Sequence, residues 1–131
     1  MPIEYRVDHD ERRVLAEGHG AVSSAELFQY QRDVWSRADV AGYDELMDMT
    51  GVTSIAGDTP EGMRSLAELA ARSDPAGSRA RFAIVAPQES TFGLARMYET
   101  YRGLEERSTK KVAVFRDRDE ALKWLSRGES R

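Results

Sequence analysis

Residues 82–86 read Phe82-Ala83-Ile84-Val85-Ala86, an unbroken apolar run between Arg81 and Pro87. Apolar side chains without alternation suit a strand covered on both faces, which is the habit of parallel sheets. This run is the expected central strand. Just beyond it, Ser90 is placed to cap a helix running to about Arg107, with Leu94, Met97, Tyr98 and Tyr101 on one face. Val112 to Phe115 is a second apolar run of the same kind, expected to be buried likewise. Asp117 and Glu120 have the spacing of a capping box, opening a last helix with Ala121, Leu122 and Leu125 inward. Strand, helix, strand, helix in succession is the signature of parallel crossovers.

Upstream of that run the chain begins with a hairpin. Ile3, Tyr5 and Val7 alternate with Glu4, Arg6 and Asp8, the period of a strand with one buried face. His9 to Arg12 is a polar turn, and a second strand spans Arg13 to Ala21. Val14 and Ala16 lie on its apolar face before Gly18 and Gly20 leave that face bare. Ser23 and Glu26 form a capping box flanked by Val22 and Leu27 as a hydrophobic staple. The helix they open runs from about Ser24 to Arg37, with Leu27, Phe28, Gln31, Val34 and Trp35 on its inner side. Asp44 to Met49 reads as a third strand leaving into a loop at Thr50. Thr59, Pro60 and Glu61 supply an N-cap, a first-turn proline and a first-turn acid for a helix whose stripe is Met63, Leu66, Ala67 and Ala70. Ser73 to Ser78 is a breaker cluster and is read as loop. The expectation is one α/β domain over residues 1–131, order ββαβαβαβα. Its five-stranded sheet is mainly parallel, with an antiparallel N-terminal hairpin strand at one edge.

Composition narrows the function classes. The chain has 131 residues and no cysteine, which excludes disulfides, thiolate metal sites and cysteine nucleophiles. A net charge of -4 argues against a nucleic-acid footprint. The basic residues Arg102, Arg107, Lys110 and Lys111 are expected to complement the end of a helix dipole. No stretch approaches the about 18 apolar residues of a membrane span, and no export signal is read at the N-terminus, so the expected location is cytoplasmic. His9 and His19 lack metal-ligand spacing and read as surface residues. The acidic pairs Asp8/Asp10 and Asp117/Asp119 are accounted for by a turn and a cap. No nucleophile elbow, phosphate loop or dinucleotide fingerprint is present. The expectation is a non-enzyme with no catalytic residues, no metal and no cofactor.

Four segments in order carry a family likeness: PIEYRVD at 2–8, GYDELMDMTGVTSI at 42–55, FAIVAPQESTFGLARMYE at 82–99 and VAVFRDRDEALKWL at 112–125. Together they resemble the STAS/SEC14-like, or SpoIIAA-like, small bacterial domains related to anti-sigma-factor antagonists. The resemblance implies binding rather than turnover. In the antagonists an Asp-Ser-Ser-Gly loop after the third strand carries a serine phosphorylated by a partner kinase. Asp48 to Ile55 resembles the approach to that loop, but Ala56-Gly57-Asp58-Thr59 stands where the acceptor motif would be, with Asp58 at or beside the acceptor position.

Ligands of open α/β sheets sit beyond the carboxyl ends of the strands. That rule selects Thr50, Thr53, Ser54, Asp58 and Thr59 after the third strand, and Pro87, Ser90 and Thr91 after the fourth. Both loops feed helix N-termini, so simple capping is the competing explanation. Met63, Met97, Tyr98 and Tyr101, with Met47 and Met49, could line a pliable apolar groove, although ordinary core packing explains them as well. Two functions follow. The first is a regulatory module binding a protein partner through the loop after the third strand and the next helix. The alternative is a SEC14-like carrier or sensor of a small hydrophobic ligand, which would need a cavity of roughly 300 Å³ or more. A homodimer is compatible with either.

Overall fold

A computed structural model describes residues 2–56 and 59–129. Its elements are β1 (Ile3–Asp8), β2 (Arg13–Ser23), α1 (Ser24–Trp35), a short 3-10 turn (Ala38–Val40), β3 (Asp44–Ala56), α2 (Pro60–Ser73), β4 (Arg81–Val85), α3 (Glu89–Leu104), β5 (Lys111–Phe115) and α4 (Arg118–Glu129). The five strands form one sheet in the order β1-β2-β3-β4-β5. β1 and β2 are antiparallel, and every later neighbour is parallel. Because the chain moves one strand at a time across the sheet, its crossovers lay α1, α2 and α3 on one face. There Leu27, Tyr30 and Val34, Met63 and Leu66, and Ala95 and Tyr98 pack with Val14, Met47, Phe82 and Ile84. α4 returns over the opposite face, where Ala121 and Leu125 meet Leu46, Ala83 and Val85.

The local chemistry of the helix starts explains the two best-formed boundaries. Ser23 accepts the Glu26 N–H, and the Glu26 carboxylate accepts the Ser23 N–H at 2.8 Å, a complete capping box. Thr59 accepts the Gly62 N–H at 3.0 Å ahead of Pro60. At α4, Asp117 Oδ1 accepts the Asp119 N–H at 3.4 Å.

Several expectations are corrected. The central strand is β3, not the 82–86 run: β4 is buried on both faces, with Phe82 and Ile84 in the core under the first three helices and Ala83 and Val85 under α4, yet it lies next to the edge. β5 is that edge and is only half-buried, so an apolar run did not guarantee full burial. α3 begins at Glu89 with Gln88 as its N-cap, which places Ser90 inside the first turn. α1 stops at Trp35 and α3 at Leu104, each a few residues short of expectation. The bare face of β2 is filled from β3 at Gly18 alone, where Val52 Cγ2 would lie 2.6 Å from an added Cβ, while Gly20 has nothing within 4 Å. Gly51 is less tightly placed, its Cβ position 3.1 Å from the Gly18 carbonyl oxygen. Two register shifts in the β2–β3 ladder accompany this close approach.

Candidate functional site

The largest departure from expectation lies where a loop was read after the third strand. β3 does not end at Met49 but continues to Ala56, because the long second arm of the hairpin gives it a partner all the way: His19 pairs Gly51 and Ser23 pairs Ala56. Thr50, Thr53 and Ser54 are therefore strand residues, all exposed, while Val52 and Ile55 turn into the core. β4 pairs β3 only over Glu45 to Asp48. From Met49 to Ala56 the edge turned away from β2 has no strand partner among the described residues. At the point where the two edges part, Asp48 Oδ1 accepts the Thr50 N–H at 2.9 Å, and Asp48 Oδ2 takes the Arg118 guanidinium at 2.8 Å. Burial opposes the Asp48 charge, but the Thr50 and Arg118 bonds outweigh it and hold the carboxyl below its ordinary value.

The remaining candidates separate. Asp58 lies outside the described residues. Thr59 caps α2. In the second loop, Thr91 is buried and its hydroxyl donates to the Gln88 carbonyl at 3.1 Å, Ser90 is exposed, and the Pro87 carbonyl accepts from Arg116 at 3.3 Å. Met63 and Tyr98 are brought to one cavity, while Met97 and Tyr101 pack half-buried against the core and do not line it.

That cavity lies between the sheet and the three helices on its first face, with a volume of about 70 Å³. Met47, Met49 and Met63 form much of its wall, with Ile55, Leu66 and Phe82. Gln31, which sits among apolar residues on the inner face of α1, also lines it and is only 7 % exposed. Its amide has no hydrogen-bond partner among the described residues.

The opposite end of the parallel strands holds what sequence reading missed. Glu45, at the start of β3, is buried and accepts Tyr30 Oη at 2.8 Å, Trp35 Nε1 at 3.1 Å and Lys110 Nζ at 3.1 Å. Lys110 also lies 3.3 Å from the centre of the Trp35 ring. Asp74, at the end of α2, accepts Arg102 Nη2 at 2.6 Å and the backbone N–H groups of Thr109 and Lys110 at 2.9 and 3.0 Å. Arg102 further donates to Tyr98 Oη at 2.8 Å and to Ser108 Oγ at 2.9 Å. Arg102 and Lys110 are thus buried ion-pair partners rather than surface charges at a helix end, because each has a carboxylate from another element aimed at it. Burial, with Glu45 beside it, raises the Tyr30 phenol well above its ordinary value, and burial pushes Tyr98 to about 12. Burial lowers Lys110 despite its carboxylate partner.

Both histidines are on the surface. His9 hydrogen-bonds Tyr43 Oη at 2.7 Å, and His19 lies 3.2 Å from Glu4 and 3.6 Å from Glu17. Among the described residues no group of three or more histidine and acidic side chains is placed to hold a metal ion. No helix there is long and apolar enough to cross a membrane.

The sheet order, the hairpin edge and the helix on the second face define an architecture with known counterparts. No protein-family model matches the chain, and no curated protein matches it. Among solved structures it is similar to a protein of the DUF3478 family from Shewanella loihica PV-4, itself uncharacterized and described as having a SpoIIAA-like fold. The TM-score is 0.59 at 17 % sequence identity, over 94 % of this chain and 91 % of that one. The chain has the SpoIIAA-like fold. At that identity the likeness extends to the fold alone.

Proposed function

We propose that this chain is a non-catalytic binding module that engages an extended segment of a protein partner along the far half of β3 and the start of α2. The observation that carries the reading is the length of β3: it outruns β4 by the whole stretch Met49 to Ala56, with Thr50, Thr53 and Ser54 exposed along it. An open strand edge presents N–H and C=O groups in a row, and adding a strand to such an edge is a general way of binding a peptide. Backbone pairing would supply affinity, and the exposed hydroxyls would read the partner's side chains. The first turn of α2, opened by Thr59 and Pro60, borders the same end. A carrier for a bulky hydrophobic ligand is less well supported, since a cavity of about 70 Å³ falls far below the roughly 300 Å³ such a ligand needs.

The test is to place a photo-crosslinking residue at Ser54 in the full chain, and at Lys123 on α4 as a control, then to purify any protein captured only from Ser54. Binding of that protein should slow amide exchange between Thr50 and Ala56, and Thr53→Pro should weaken it by about tenfold or more. Capture from both sites alike, or protection that falls elsewhere, would refute the reading.

A further inference from the structure

The polar side chains around the small cavity differ in one respect: all but one are already committed. Glu45 is occupied by Tyr30, Trp35 and Lys110, Tyr98 Oη by Arg102, and the Thr91 hydroxyl by the Gln88 carbonyl. Gln31 is the exception, 7 % exposed, in the wall, and with no partner among the described residues for its amide. A leucine there would extend the apolar stripe of α1 without leaving a polar group unpaired. We propose that the cavity is a binding site for a small neutral molecule with a compact apolar body and one hydroxyl or carbonyl, the latter held by Gln31.

Size and charge set the ligand class. At the roughly 10–15 Å³ that one water-sized body needs on this measure, about 70 Å³ holds five or so, so the enclosed part of the ligand is a body of about five heavy atoms. Met47, Met49 and Met63 can change rotamer and let the wall give slightly. A carboxylate would enter beside Glu45 without finding a free cation, since Lys110 and Arg102 are both paired. A cation would exchange its hydration for a largely apolar wall. A neutral molecule with one hydrogen-bonding group meets neither penalty, and an amide can both donate to it and accept from it. The cavity shares Met49 and Ile55 with the strand whose open edge is proposed to bind a partner, but Gln31 lies on α1, so its substitution leaves that edge intact.

The experiment uses two probes on the full chain carrying methyl-labelled methionine: isobutanol, which has the apolar body and the hydroxyl, and xenon, which has only the apolar body. Both should shift the Met47, Met49 and Met63 methyl resonances saturably. Gln31→Leu should weaken isobutanol by about 3- to 10-fold, the worth of one hydrogen bond, and leave xenon unchanged or tighter. Gln31→Met gives the same reading should the leucine variant not fold. Absence of saturable isobutanol shifts, or an unchanged isobutanol affinity in a folded variant, would overturn the proposal. So would an equal loss for both probes, which would mean that Gln31 only shapes the cavity.

Discussion

At the amino-terminal end of the parallel strands, Asp74 and Glu45 collect seven hydrogen bonds among them from Arg102, Thr109, Lys110, Tyr30, Trp35 and Ser108. At the carboxyl end, β3 runs on with one edge unpaired, and between the two ends Gln31 lines a cavity that Glu45 and Tyr98 share with Met49 and Ile55. Buried charges are tolerated only when paired, so the first end must close upon itself for the fold to exist. The second end keeps hydrogen-bonding capacity that the fold does not need. Capacity left over in a folded chain is what a partner or ligand can use, which is why function is assigned to the carboxyl end.

The contrast can be broken most severely from the closed end. Asp74→Ala should strip Arg102 of its carboxylate and leave two backbone N–H groups unpaired, destabilising the fold by about 3–5 kcal/mol, as measured by urea denaturation. Alkaline pH attacks the same end. Tyr98 ionises near 10.0 when unfolded but holds its proton to about 12 when folded, so between those values the folded chain binds more protons and stability falls as pH rises. Tyr30 acts in the same direction. Lys110 acts oppositely below its ordinary 10.5, where the unfolded chain binds more protons. The Tyr98 contribution amounts to about 2–3 kcal/mol across its window, and Tyr98→Phe should flatten the decline of the denaturation midpoint above pH 10. A smaller effect comes from the open end. Gly18→Ala would press a Cβ to 2.6 Å from Val52 Cγ2, and the β-branched, fully buried Val52 has little room to yield. Its cost should be about 1–3 kcal/mol by the same assay, without altering the amino-terminal network.

Much of the scaffold was legible because its signals are local. The Ser23/Glu26 box, the Thr59-Pro60 start and the alternation of Ile3, Tyr5 and Val7 each depend on residues within a few positions of one another. What escaped depends on distant partners. Lys110 and Glu45 are 65 positions apart, so no spacing rule could turn a basic residue near a helix end into half of a buried pair. The extent of β3 was hidden for a related reason: Thr50-Gly51-Val52-Thr53 has loop composition, and only the long β2 arm beside it keeps it extended. Gln31 did leave a trace, a polar residue at an inward position of α1, which reads as ordinary amphipathic noise until its surroundings are known.

Amide hydrogen exchange along β3 in the free protein tests the central contrast most directly, since one strand passes through both regions. The amides of Glu45 to Asp48, flanked by β2 and β4, should exchange only when the whole fold opens. Among Thr53 to Ala56, the amides turned away from β2 should exchange on the order of 100-fold faster or more. Uniformly slow exchange from Glu45 through Ala56 would mean that the far edge is already covered, and would contradict the assignment of function to it.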